Sequence, residues 1–276
     1  MSEKIMENAL EMKIQDALAP LRERSVIIAF SGGVDSTVIA YLAKKVCKKV
    51  KLITIVSEWI SDYEIEESQV ISQYLDIPHI TLKINIEKHL WENPPDRCFH
   101  CKLLVFSHLV EYCKENGYDI VVDGSNASDK NGHRPGLKAL TQLGIYSPLL
   151  QGNITKLEVR KIAEYYDLPI ANKPAMACLA SRIPYGEKIT LKKLRRVEEG
   201  ERFLRDLGVS HQVRLRDHDS LARIEIPPED FTFLQNEKIT RRIIDKIHDI
   251  GYSYVTLDLE GYRPSIPKKT QDDSKV

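Results

Sequence analysis

The chain predicts an α/β protein: a parallel sheet with helices on its faces, followed by a second, smaller α+β domain. Three observations lead there. Up to about residue 170, helical and strand-like stretches alternate, as they do when parallel strands are joined through crossover helices. A segment with Pro169, Pro174, Pro184 and Gly186 then interrupts the pattern and reads as a linker. Beyond it come helix, paired strands, helix and strand, without the earlier alternation. The 276 residues also exceed the roughly 150 of a one-domain prior. The expected division is residues 1–172, then 173–264 including the linker, then a polar tail over 265–276.

Taken in order, Ile5, Leu10, Ile14, Leu18 and Leu21 share one helical face and predict an opening helix. Val26 to Phe30, the longest purely aliphatic or aromatic run, predicts a buried strand, and a helix follows from about Ser36 to Cys47. Next are a strand at Lys51 to Val56 and a helix opened by the capping box Ser61-x-x-Glu64, ending near Leu75. Strands at about His79 to Asn85 and Asp119 to Asp123 bracket a helix from Cys98 to Asn116. Thr155-x-x-Glu158 opens another helix, running to Asp167. The second domain reads as a helix over Thr190 to Leu207, a hairpin of His211 to Arg216 with Leu221 to Ile226, a helix over Lys238 to Ile250 and a strand at Tyr252 to Leu259.

Lys and Arg together number 40, as do Asp and Glu, so the formal charge is zero. That balance argues against wrapping nucleic acid or coating an anionic membrane. A hydrophobic fraction of 42% and a charged fraction of 29% match an ordinary globular protein. No apolar run approaches the ~20 residues of a spanning helix, and the N-terminal stretch mixes both charge signs without a signal-like apolar core. A cytoplasmic protein is expected. Cysteines at 47, 98, 101, 113 and 178 suit metal binding or catalysis better than a disulfide framework.

Directly after the first strand comes Ser31-Gly32-Gly33-Val34-Asp35-Ser36, where a helix begins. Two glycines let the backbone turn tightly and approach a ligand, and the helix start offers unpaired N–H groups to a phosphate chain. Ser31 and Ser36 add hydroxyls. No Gly-Lys-Ser/Thr closes the loop and no Gly-x-Gly-x-x-Gly is present, so it is neither a Walker A loop nor a dinucleotide fingerprint. For a bare Gly-Gly, a strained strand-to-helix turn is the competing reading. This hexapeptide resembles the pyrophosphate loop of the PP-loop ATP-pyrophosphatase superfamily. The resemblance implies an adenine-nucleotide-binding parallel sheet, ATP, Mg²⁺ and release of pyrophosphate. Asp35 would then help orient Mg²⁺, while Asn126 and Lys138 would meet ribose or phosphate. Turn formation explains Asn126 and Asp129 equally well. Ser57 and Glu58, just past the second strand, are placed by topology on the adenosine side.

Further segments narrow the resemblance. Asp123-Gly124-Ser125-Asn126-Ala127-Ser128-Asp129, Arg134-Pro135-Gly136-Leu137-Lys138-Ala139 and Cys178-Leu179-Ala180-Ser181-Arg182-Ile183-Pro184-Tyr185-Gly186 look like the pattern of the LarE family. So do Val213 to Arg216, Ala222 to Pro227 and Tyr254 to Asp258, which extends the likeness over about residues 10–264. LarE proteins are ATP-dependent sulfur transferases in the biosynthesis of the nickel-pincer nucleotide of lactate racemase. The resemblance implies adenylation of a carboxylate of pyridinium-3,5-biscarboxylic acid mononucleotide, then replacement of AMP by sulfur. It also implies a sulfide or other sulfur donor, and a homo-oligomer. Such a substrate calls for cations. Period-two geometry puts Arg214 and Arg216 on one strand face, with Val213 and Leu215 toward the core, and Arg182 joins them from the linker. A solvated hairpin face is the alternative. Glu201 aligns with an acidic family position near the substrate, although a surface glutamate is the ordinary expectation on a helix.

The better-known form of that family sacrifices a cysteine one position before Cys178, and Ala177 stands there in this chain. This chain instead has Cys98-Phe99-His100-Cys101. The departure and the addition suggest that Cys98, Cys101 and Cys178 hold a [4Fe–4S] cluster whose open iron carries exogenous sulfur. Sacrifice of Cys178, a zinc site using His100, a redox pair and unrelated buried thiols are the alternatives. Cys47 and Cys113 read as core. Rival functions are an ATP- and cluster-dependent tRNA thiolase, an amidotransferring synthetase and a non-catalytic nucleotide-binding sensor of iron or redox state.

Overall fold

The computed structural model describes residues 2–131, 135–174, 177–210 and 212–263. Arg134, His211 and the tail over 265–276 lie outside the described residues. The chain divides into two compact units between Cys178 and Leu179, later than the break expected after residue 172, which puts Cys178 in the same unit as Cys98 and Cys101.

The first unit contains α1 (Ser2–Leu18), β1 (Ser25–Ala29), α2 (Val34–Val46), β2 (Lys49–Val56), α3 (Asp62–Leu75) and β3 (His79–Lys83). After these come α4 (Arg97–Glu115), β4 (Ile120–Val122), α5 (Pro135–Gln142), α6 (Pro148–Gln151) and α7 (Lys156–Tyr165). The sheet order is β3-β2-β1-β4 and every pairing is parallel, with Ile28 opposite both Leu52 and Val122. The uninterrupted apolar run of β1 follows from burial on both faces. Val26 and Ile28 join one core with Val38 and Leu42 of α2, while Ile27 joins another with Phe106 and Leu109 of α4. Each such side chain contributes about 1.5–3 kcal/mol by leaving water.

From β1 the chain moves one way through β2 and β3, then returns to the other side of β1 for β4. The carboxyl ends of β1 and β4 therefore flank the point where open α/β sheets place ligands. The capping residues set the helix starts: Ser61 Oγ accepts from Glu64 N at 3.2 Å, and Thr155 and Glu158 form a complete reciprocal box. Two short helices, α5 and α6, were not legible, because neither is long enough to show a period.

The second unit comprises α8 (Leu191–Asp206), β5 (Arg214–His218), β6 (Leu221–Glu225), α9 (Glu237–Asp249) and β7 (Tyr254–Leu257). β5 and β6 form the expected antiparallel hairpin, and β7 pairs parallel to β6. Gly200 lets α8 settle onto β5, since a Cβ there would overlap Leu215 Cδ1. Among the described residues, no helix is long and apolar enough to cross a membrane.

Candidate active site

The strand-to-helix loop after β1 is built for close approach. Gly32 has φ +64°, and a Cβ on it would sit 2.9 Å from Ser68 Cα of α3. Only glycine meets both demands. The two serines brace the turn. Ser31 Oγ accepts from Gly33 N at 3.3 Å, Ser36 Oγ donates to Gly33 O at 3.1 Å, and the hydroxyl oxygens are 3.2 Å apart. Gly33 is the N-cap of α2 and offers no side-chain cap, so the first amides of that helix keep their capacity for an anion.

The segment after β4 closes the other side. A Cβ on Gly124 would lie 2.9 Å from Ser36 N and 3.2 Å from Asp35 Cβ, so this glycine backs onto the first turn of α2. Asn126, 3% exposed, donates from Nδ2 to Asp35 Oδ1 at 3.1 Å and accepts Ser128 N at 3.0 Å. Turn formation and contact with the phosphate loop are thus joint roles of one side chain. Ser57 is half-buried and accepts Trp59 N at 3.3 Å, while Glu58 is exposed. Lys138 is exposed on α5 and, among the described residues, makes no hydrogen bond to the loop.

Three lysines at this end of the sheet were missed from sequence. Lys156 Nζ pairs with Asp35 Oδ2 at 2.5 Å, Lys173 Nζ donates to Gly32 O at 2.9 Å and pairs with Glu67, and Lys102 Nζ lies 4.0 Å from Asp123 Oδ2. Lys156 had a signal: it directly follows the capping Thr155, whose box fixes where α7 starts. What the sequence lacked was which element lies beside the loop.

Cys98 and Cys101 occupy the start of α4, three residues apart and therefore on one helical side. Burial pushes the Cys101 thiol up to about 12, reinforced by the charges of Cys178 and Cys98 and opposed by those of Arg97 and Lys102. The chain thus brings the three cysteines within electrostatic reach of one another inside one unit. Among the described residues, the three sulfurs do not all lie within 4.8 Å of one another. A tetrahedral zinc, with Zn–S near 2.3 Å, would hold thiolates roughly 3.8 Å apart. His100 is turned to Asp96, with Nε2 to Oδ2 at 3.1 Å. Cys47 and Cys113 stand apart from the trio: burial raises the Cys47 thiol to about 11, and Cys113 Sγ donates to Tyr118 O at 3.3 Å in the core.

The predicted cation cluster lies in the second unit, and it is not a solvated face. Val213 and Leu215 are fully buried, but Arg214 is only 5% exposed, so β5 is covered on both sides. Arg182 Nε and Nη2 grip Glu201 at 2.7 and 3.0 Å, and Leu215 N donates to the same carboxylate at 3.1 Å. The expectation of Glu201 as an ordinary surface glutamate is therefore corrected: it is 2% exposed. Burial raises its pKa, but the charges of Arg182 and Arg214 and the Leu215 amide outweigh that and hold it below the usual carboxylate range. Arg216 forks onto Glu225, both contacts at 3.0 Å, and donates to Ser181 O at 2.8 Å. The arginines outnumber these two carboxylates. Burial and the Arg182 charge lower the Arg214 pKa, a sign of crowded positive charge.

Comparison with known proteins places this architecture. A family model described as queuosine biosynthesis protein QueC matches residues 25–94, the stretch from β1 past β3. An uncharacterized protein of Synechocystis sp. is 41% identical over 86% of this chain and 89% of its own length. The pyridinium-3,5-bisthiocarboxylic acid mononucleotide synthase of Lactiplantibacillus plantarum is 34% identical over 92% of this chain and 93% of its own. The chain belongs to that synthase family. Membership covers both units, whereas the likeness to the tRNA-specific 2-thiouridylase MnmA of Clostridium perfringens, 28% identical, covers 55% of the chain.

Proposed function

We propose that the chain is an ATP-dependent sulfur transferase acting on pyridinium-3,5-biscarboxylic acid mononucleotide and converting a carboxylate into a thiocarboxylate. The observation that carries this reading is the presence, in one compact unit, of a phosphate loop at the sheet's switch point and three cysteines near the start of α4, within a chain matched along nearly its full length to a synthase of that product's name.

The reaction runs in two displacements. A carboxylate oxygen attacks the α-phosphorus of ATP, and pyrophosphate leaves with the bond electrons. A sulfur nucleophile then attacks the acyl carbon, and AMP leaves carrying the former carboxylate oxygen. The chain's tasks are positioning and charge stabilisation. The amides opening α2 and the Gly32–Gly33 backbone would hold the phosphate chain; Asn126 fixes Asp35, which would help orient Mg²⁺ when the metal is bound. Arg182, Arg214 and Arg216 supply the positive field that suits a mononucleotide with phosphate and carboxylates. Glu201 keeps Arg182 in place.

The donor set fits an iron–sulfur cluster. Burial, reinforced by the charges of Cys178 and Cys98, strongly raises the Cys101 thiol, so a cationic centre would be needed to hold it as a thiolate beside them. Cys98, Cys101 and Cys178 would hold a [4Fe–4S] cluster, which when bound supplies a position for an external sulfur donor. With Ala177 at the sacrificial position, the chain would serve repeatedly, in the cytoplasm and as a homo-oligomer. The test is pyrophosphate release from ATP by the holoenzyme. The reading expects release only when the mononucleotide is present; release indifferent to the mononucleotide, or none, contradicts it.

A further inference from the structure

Asp35 is the one carboxylate within the hexapeptide Ser31 to Ser36, and it is already neutralised. Lys156 Nζ lies 2.5 Å from its Oδ2, and Asn126 Nδ2 donates to its Oδ1. Lys156 is not a loose surface cation. As the first residue of α7 it donates its backbone N–H to Ser128 Oγ at 3.0 Å, and the Thr155–Glu158 box fixes the turn from which its side chain departs. The side chains of the pair are 30% and 26% exposed, so water and solutes reach them. The neighbouring lysines are committed otherwise: Lys173 to Gly32 O and Glu67, Lys102 beside Asp123.

A phosphate chain in this loop brings negative charge against the Asp35 carboxylate, which must then be balanced by a cation at every stage. Resting on the nucleotide reading above, we propose that Lys156 is a phosphate-binding residue. It pairs with Asp35 while the loop is empty. When a Mg²⁺-bound nucleotide brings its own cation to Asp35, the Lys156 ammonium passes to a phosphate oxygen and steadies the departing pyrophosphate. A lysine suits the exchange, being a compact charge on a flexible stem.

The test is calorimetric titration of the full chain with inorganic pyrophosphate, with and without Mg²⁺. Lys156→Met is expected to weaken Mg²⁺-pyrophosphate binding at least about tenfold and to raise the KM for ATP while leaving the KM for the mononucleotide unchanged. Lys156→Arg should retain most of the affinity. Lys161→Met, a change of equal charge on the exposed side of α7, should leave it intact. Asp35→Asn releases Lys156 from its partner, so metal-free pyrophosphate should bind this variant more tightly than the parent. The last two comparisons, which keep a cation at 156, carry the test should the Met variant fail to fold. Unchanged pyrophosphate binding in Lys156→Met, or no gain in Asp35→Asn, overturns the role of Lys156 alone. A parent protein that binds no pyrophosphate overturns the nucleotide reading with it.

Discussion

Replacing Glu201 by Gln leaves Arg182 gripping an uncharged amide in a place where the arginine is 1% exposed and the glutamate 2%. Breaking a buried pair on one side costs about 3–5 kcal/mol, so Glu201→Gln is expected to lower the urea midpoint markedly with little change in the denaturant slope. A shift under about 1 kcal/mol would show that other groups neutralise the arginines. The same carboxylate sets a pH dependence. Its folded pKa lies below the ordinary 4.5, so its stabilising contribution is present above that value and declines as the pH falls from 4.5 toward the folded pKa. Acid titration of parent and Glu201→Gln should therefore converge. Cys101 runs the other way: with its thiol raised to about 12, it should resist alkylation at pH 8 in metal-free protein, as read by mass spectrometry of labelled peptides. Rapid labelling would mean that the three cysteines do not share one environment. These residues were legible as types and not as environments. Alternation along β5 told which side Arg214 faces, but not that this side is covered, because what lies over it comes from residues far along the chain.

Helix starts and the turn after β1 were the most legible features, since their determinants are local. Ser61 and Thr155 with their glutamates mark the beginnings of α3 and α7 to the residue. Thr155→Ala should cost about 1 kcal/mol and loosen Lys156 with it, so thermal stability and pyrophosphate affinity should fall together. The Gly32 requirement is stricter. Ala in the left-handed region costs roughly 1–2 kcal/mol, and here its Cβ would also press on Ser68 Cα. Gly32→Ala is therefore expected to lose nucleotide binding by more than its loss of stability explains, checked by comparing ATP affinity with the thermal midpoint. The contacts of β4 with the loop were not legible. Gly124 and Asn126 meet Asp35 only because β4 pairs beside β1, a tertiary choice that no local pattern encodes.

The two units divide the expected work. One holds the loop and the cysteine trio, the other the arginines that suit an anionic mononucleotide, and the break between Cys178 and Leu179 assigns the third cysteine to the first. The linker-like composition after Pro169 announced a boundary but not its position, because the residues around 171–173 are held into the first unit by Arg160 and Lys173. The central claim is ATP-dependent sulfur transfer without loss of the chain's own sulfur. Its most direct measurement is a multiple-turnover assay of the anaerobically prepared holoenzyme with ATP, Mg²⁺, the mononucleotide and isotopically labelled sulfide, following product and intact protein by mass spectrometry. The account predicts labelled thiocarboxylate in excess of enzyme, with Cys178 intact. Product limited to one per chain, unlabelled and matched by loss of sulfur from Cys178, would contradict it.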